Sequence, residues 1–184
     1  MLQARGFSLI EVLLALLVMA IGVLGILALQ LVGLRATRDT LLQSSAVRLA
    51  TDIAEQVGGS TRSAALLQSF AQFDYVATDA VADNSATCYG VDSNCTPDQL
   101  AGFITHQWQE RLRETLPGGR VRICRDTAPW QAANKSMRWE CNGATDNNDV
   151  TSPLWIKVGW RTESASAFPP SAPQVVLPVA AFAH

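Results

Sequence analysis

Glu11 stands at the mouth of an apolar run: from Val12 to Leu29 no side chain is charged or polar. A carboxylate next to hydrocarbon is costly unless a cation meets it, so this position suggests a group held for a specific partner. The plainer reading is an acid in the first turn of a helix, where the macrodipole contributes about 0.3–1 kcal/mol. Further along are four cysteines, Cys88, Cys95, Cys124 and Cys141. An even cysteine count beyond a membrane-length segment points to disulfides and an oxidising compartment. Three pairings are open, and the two local loops, Cys88–Cys95 and Cys124–Cys141, are favoured. The second would contribute on the order of 3 kcal/mol on the chain-entropy model. Zinc is the competing use, but the spacings are unlike paired C-x2-C ligands.

Other candidate chemistry is thinner. The run Thr145 to Asp149 offers Asp146 and Asp149 as weak calcium ligands, but without EF-hand spacing it reads as a solvated hairpin loop. His106 and His184 are isolated, with no nucleophile motif beside either, so no catalytic role is assigned and the chain is not read as an enzyme. Arg120, Arg122, Arg125 and Arg138, near Trp130 and Trp139, form a basic-aromatic cluster. Such a cluster can grip single-stranded nucleic acid by stacking; ordinary strand edges and a partly buried tryptophan pair are the favoured account. The net charge of −2, from 14 basic and 16 acidic residues, gives no broad pull toward nucleic acid. No metal or cofactor is called for.

The elements that would position these groups follow from periodicity. At 184 residues the chain allows one modest domain besides the apolar segment. The 18 residues Val12–Leu29 would span about 27 Å as a helix, near the ~30 Å hydrocarbon core. A cleaved secretory signal would end in a small-residue site, and the stretch after the run offers none. Leu42, Ala46, Leu49, Ile53 and Val57 keep helical spacing, so one helix is predicted from about Phe7 to Gly58, ended by Gly58-Gly59. Arg5 on one side and Arg35, Arg38 and Arg48 on the other leave orientation undecided by charge. The cysteines place the C-terminal part in the oxidising compartment.

Residues 60–73 read as a short helix or irregular segment, and 74–97 as polar and turn-rich. Thr96 with Gln99 makes a capping box, and Pro97 suits the first helical position. Leu100, Ile104, Trp108, Leu112 and Leu116 then mark an amphipathic helix ended by Pro117-Gly118-Gly119. Strands are predicted at Arg120–Arg125, Ser136–Cys141 and within residues 153–162. In the last, Leu154, Ile156, Val158 and Trp160 share one face, and Lys157 and Arg161 the other. A final strand, Gln174–Phe182, carries Pro178 and so belongs on an edge. The total is an α+β domain.

Gly6, Phe7, Ser8, Leu9, Ile10 and Glu11, followed directly by the apolar run, resemble the class III signal of type IV pilins and type II secretion pseudopilins. The segment LPGGRVRICRDTAP, the cysteine near Trp139 and PLWIKVGWRTE are similar to the C-terminal half of PilV-type minor pilins, the pilus modification proteins. The IGVLG at Ile21–Gly25 also matches them.

The resemblance implies a leader at 1–6, cut between Gly6 and Phe7 by a prepilin peptidase that methylates the new amine. It implies a membrane-spanning and filament-core helix at 7–34, an amphipathic continuation at 35–59 and a periplasmic head at 60–184. Glu11 would dock the subunit on a neighbour's terminal amine. The implied fold is a long N-terminal helix on a roughly four-stranded antiparallel sheet with an additional helix. The implied function is that of a minor pilin priming pilus assembly within a tip complex, for adhesion and twitching motility. Its partners would be other minor pilins, the major pilin and the inner-membrane assembly machinery. It would sit in the bacterial inner membrane, then in the pilus fibre. A type II secretion minor pseudopilin is the alternative, and a membrane-tethered DNA- or calcium-binding module the further one. Gly22, Gly25 and Gly33 suit close helix packing, or a soft segment in the filament, where family members often carry a proline that this run lacks.

Overall fold

The computed structural model describes residues 8–60, 63–81, 88–89, 93–143, 152–162 and 170–179. Its compact units divide between Leu41 and Leu42. The first helix, α1 (Leu9–Gly59), starts where the Ser8 carbonyl accepts from the N–H groups of Glu11 at 3.0 Å and Val12 at 3.3 Å. In the first unit its apolar side chains are exposed: Leu13 is 59% exposed and Leu24 66%. Among the described residues, a Cβ at Gly22, Gly25 or Gly33 would meet nothing within 4 Å, so no packing among them requires glycine there.

In the second unit the same helix buries Ala46, Leu49, Ala50, Ile53 and Val57, a stripe at three- and four-residue spacing. Helix α2 (Ala64–Ala71) is capped by Ser63, whose hydroxyl accepts from Leu66 N–H at 3.4 Å, and it buries Leu66 and Phe70. Helix α3 (Pro97–Thr115) opens with the reciprocal capping box of Thr96 and Gln99 that the sequence predicts. It buries Ala101, Trp108 and Leu112, and the turn after it holds Gly118 at φ 59°, where a side chain would be strained. The Trp108 indole donates to Gln56 Oε1 at 3.0 Å, and Arg111 pairs with Asp52 at 2.8 Å, fastening α3 along the C-terminal part of α1.

The strands are β1 (Asp74–Val76), β2 (Arg120–Arg125), β3 (Trp130–Gln131), β4 (Ser136–Met137), β5 (Leu154–Gly159) and β6 (Val175–Pro178). The main sheet runs β1-β2-β5-β6, antiparallel throughout. Tyr75, Val121 and Val158 line up across it, as do Ile123 and Ile156, and these side chains meet the three helices in one core. This is the α+β arrangement expected of a pilin-like fold, with α2 and α3 as the additional helices among the described residues.

Two expectations need correcting. Ser136–Cys141 is not a strand of the main sheet: only Ser136–Met137 is extended, paired with Trp130–Gln131 in a separate two-stranded piece. The residues that follow are held by side-chain anchors instead, the Trp139 indole donating to Pro170 O at 2.8 Å and Cys141 bonded to Cys124. The fourth place in the sheet belongs to Asp74–Val76, inside the stretch read as polar and turn-rich. Three residues are too few for alternation to show, and the strand is secured by Asp74, which accepts from Arg120 at 2.9 and 2.8 Å.

Both edges of the sheet are closed locally. Val76 donates to the Asp79 carboxylate at 3.4 Å and accepts from Asp79 N–H at 2.8 Å. On the opposite side Pro178 removes a donor from β6, the outer strand, as its sequence implies. Beyond the end of β5, the Gln174 side-chain amide substitutes for a strand residue. It accepts from Trp160 N–H at 2.8 Å and donates to Trp160 O at 3.1 Å.

Candidate functional site

Of the residues singled out for the N-terminal signal, Gly6 and Phe7 lie outside the described residues. Glu11 lies in the first turn of α1, exposed, where a carboxylate complements the helix dipole. Beyond it α1 is long and apolar enough to cross a membrane by length and composition, and none of its most apolar 18-residue window is buried within the chain. The site is therefore a carboxylate at the start of an uncovered apolar helix. Chemically it offers one anion for a cationic partner, and lipid-compatible surface beside it.

In the head, Cys88 is bonded to Cys95 and Cys124 to Cys141. The first loop rests on α3: the Tyr89 ring meets Phe103 edge-on at 4.6 Å between centroids, and Gln107 Nε2 donates to the Tyr89 hydroxyl. The second bridge ties the end of β2 to the segment that crosses the sheet face opposite the core.

The basic-aromatic cluster does not assemble as a stacking platform. Arg120 is clamped on Asp74 and lies 4.6 Å over the Trp139 ring. The Asp74 carboxylate is the cause of the raised Arg120 pKa. Arg122 lies 3.6 Å from the same carboxylate, Arg125 donates to Ser152 O at 2.8 Å, and Arg138 lies 3.3 Å from Asp126. Trp139 is buried, whereas Trp130 is 52% exposed. These cations are engaged by internal partners. His106 pairs with Glu110 at 3.6 Å on α3. Asp146, Asp149 and His184 lie outside the described residues, and among the described residues no three His, Cys, Asp or Glu side chains converge.

The sequence reading missed a buried ion pair under the second disulfide. Lys157 Nζ donates to Asp126 Oδ2 at 2.5 Å and to Glu140 O at 2.8 Å, and lies 3.9 Å from Cys141 Sγ. Burial pushes the Asp126 carboxyl up, but Lys157, the Ala128 N–H and Arg138 outweigh it and hold it below the usual range. The signal was present: Lys157 is a lone cation in a strand that is apolar on both faces, Leu154-Trp155-Ile156 before it and Val158 after. Such a strand is covered on both sides, so its lysine must find an internal anion.

A family model described as the prokaryotic N-terminal methylation motif matches residues 1–27. Compared with curated proteins and with solved structures, the chain shows no match. The chain thus carries a prepilin-type class III signal ahead of an α+β head built as in the type IV pilin fold. That combination supports a structural subunit of the type IV pilin-like or pseudopilin kind, anchored in a membrane before assembly and handled by a prepilin peptidase and pilus assembly machinery.

Proposed function

We propose that the chain is a minor pilin of the PilV type, a non-enzymatic subunit that joins other minor pilins to prime pilus assembly in a tip complex. The observation that carries this reading is the methylation motif over residues 1–27, placed at the start of a helix that is uncovered through its apolar part. In this reading the peptidase cuts between Gly6 and Phe7, the head lies in the periplasm, and the two disulfides belong to that oxidising compartment. On extraction from lipid into a helical bundle, the apolar surface of α1 exchanges one apolar environment for another. The Glu11 carboxylate then gains the terminal amine of a neighbour, the polar contact that fixes register.

Two measurements test this. Intact-mass analysis from cells with an active prepilin peptidase should show a chain beginning at N-methylated Phe7; a mature form that retains Met1 would remove the pilin reading. Mass spectrometry of sheared pili should then contain the chain. Its absence there, with retention in a type II secretion complex, would place it among the minor pseudopilins, which share the same anchor.

A further inference from the structure

We propose that Cys141 is the entry sulfur of the Cys124–Cys141 bridge, the thiol that first reacts with a disulfide oxidant, and that Lys157 is the positioning residue that activates it. Two structural facts separate the two cysteines. Cys124 is 6% exposed, between Ile123 and Arg125 on a central strand, whereas Cys141 is half-buried on the covering segment. And Cys141 Sγ lies 3.9 Å from the fully buried ammonium of Lys157.

The charges around Cys141 favour a thiolate. Lys157 on β5 and Arg138 on the covering segment face Asp126, two cations against one anion. Burial pushes the Lys157 ammonium below its ordinary range and the paired Asp126 carboxylate opposes that, while Arg138, and Arg122 on β2, add positive potential and the Glu140 side chain is exposed. The Trp139 carbonyl oxygen, 3.4 Å from the same sulfur, opposes ionisation, but as a neutral dipole against a full charge at similar range in a poorly solvated site. Lys157 also holds the sulfur in place, because its ammonium binds Glu140 O, one residue before Cys141. That hydrogen bond is made to a main-chain oxygen and not to sulfur, so opening the disulfide removes neither of its partners.

The chemistry balances as two exchanges. The Cys141 thiolate attacks one sulfur of a disulfide oxidant R–S–S–R, forming Cys141–S–S–R and releasing RS⁻. Cys124, deprotonated in turn, attacks Cys141 Sγ, closes the native bridge and releases the second RS⁻. The protein thiols are oxidised, the oxidant is reduced, and two protons go to solvent. The proposed periplasmic location supplies the setting in the cell, but the purified chain reports on the sulfur itself, so loss of the pilin reading would leave this inference standing.

The test uses the full-length chain in detergent, with oxidised glutathione as the probe. Cys124→Ser leaves Cys141 as a free thiol, and Cys141→Ser leaves Cys124. Cys141 is expected to form the mixed disulfide at least about tenfold faster at pH 7, with a half-maximal pH clearly below the ordinary thiol value of about 8.5. Adding Lys157→Met to Cys124→Ser should move that midpoint up by about one unit, a shift that exposure alone would not give. A midpoint at or above about 8.5, or one unmoved by Lys157→Met in a protein with native near-ultraviolet dichroism, overturns the proposal. If the methionine variant loses that spectrum, Arg138→Gln is read in its place. An upward shift supports the charge argument, and no shift rejects it.

Discussion

Lys157 Nζ and Asp126 Oδ2 are 2.5 Å apart, and neither side chain has any exposed surface. A charge so placed is tolerated only with its partner, since desolvation is repaid by the pairing and the accompanying hydrogen bonds. Asp126 also accepts from Ala128 N–H at 3.0 Å, and its main-chain oxygen accepts from the Trp155 indole at 2.8 Å. Asp126→Leu or Lys157→Met alone is therefore expected to destabilise the head by about 3–5 kcal/mol. Lys157→Met with Asp126→Leu should be more stable than either single change, because no charge is left unpaired. Denaturant midpoints of the four proteins measure the coupling, and simple additivity would show that the two side chains act independently.

The same pair sets an acid limit. Asp126 titrates below its ordinary range in the folded protein, so between its folded pKa and about 3.9 the unfolded chain binds more protons. Its contribution is fully present above about pH 3.9 and is lost as pH falls through the folded pKa. Denaturant midpoints taken from pH 6 downward should therefore fall more steeply in the native chain than in Asp126→Asn. Equal slopes would assign the acid sensitivity to other carboxylates.

Gly143 is expected to resist substitution while Gly102 welcomes it. A Cβ on Gly143 would lie 2.5 Å from the Arg125 carbonyl oxygen and 2.6 Å from its carbon, and backbone there is pinned by Gly143 N–H donating to that oxygen at 3.0 Å. Gly143→Ala should cost about 1–3 kcal/mol and loosen the covering segment. Gly102 lies exposed within α3, where a Cβ meets nothing within 4 Å. Gly102→Ala should stabilise by about 0.4–1 kcal/mol. Thermal midpoints moving in opposite directions would bear this out.

What the sequence made legible was whatever repeats or caps locally. The stripe Ala46, Leu49, Ile53, Val57 and the Thr96–Gln99 box are each contained within a few residues, and both stand in the structure. The strands Arg120–Arg125 and Leu154–Gly159 were readable because each is six residues long and its core-facing residues alternate. Asp74–Val76 is too short to announce itself, and its partner Arg120 is far away in sequence. By alternation Lys157 belongs to the face away from the core. Alternation says nothing about what covers that face, and here the segment from Asp126 to Cys141 does. At the N-terminus the pattern carried the most, since a short motif and an uninterrupted apolar run suffice to define it.

Glu11 gives the last prediction, and it bears on the proposed docking role. In the structure its carboxylate is exposed at the first turn of α1, in the compact unit that ends at Leu41, so Glu11→Val is expected to leave the head folded. If the carboxylate served the helix dipole alone, its loss would cost about 0.3–1 kcal/mol, a change of roughly two- to fivefold in any equilibrium. If it meets a neighbour's terminal amine within a desolvated bundle, the bundle forfeits a charge pair and leaves that amine unpaired. The cost is then several kcal/mol, and incorporation should fall by far more than tenfold. Cleavage and membrane insertion should persist in either case, and retention in the membrane should rise, because valine is easier to keep in lipid than a carboxylate. Detergent-extracted and sheared-pilus fractions, quantified by immunoblot beside the intact mass, separate the two roles. A valine variant that is cleaved normally and enters pili at the native level would leave Glu11 as a helix-end acid without a docking function.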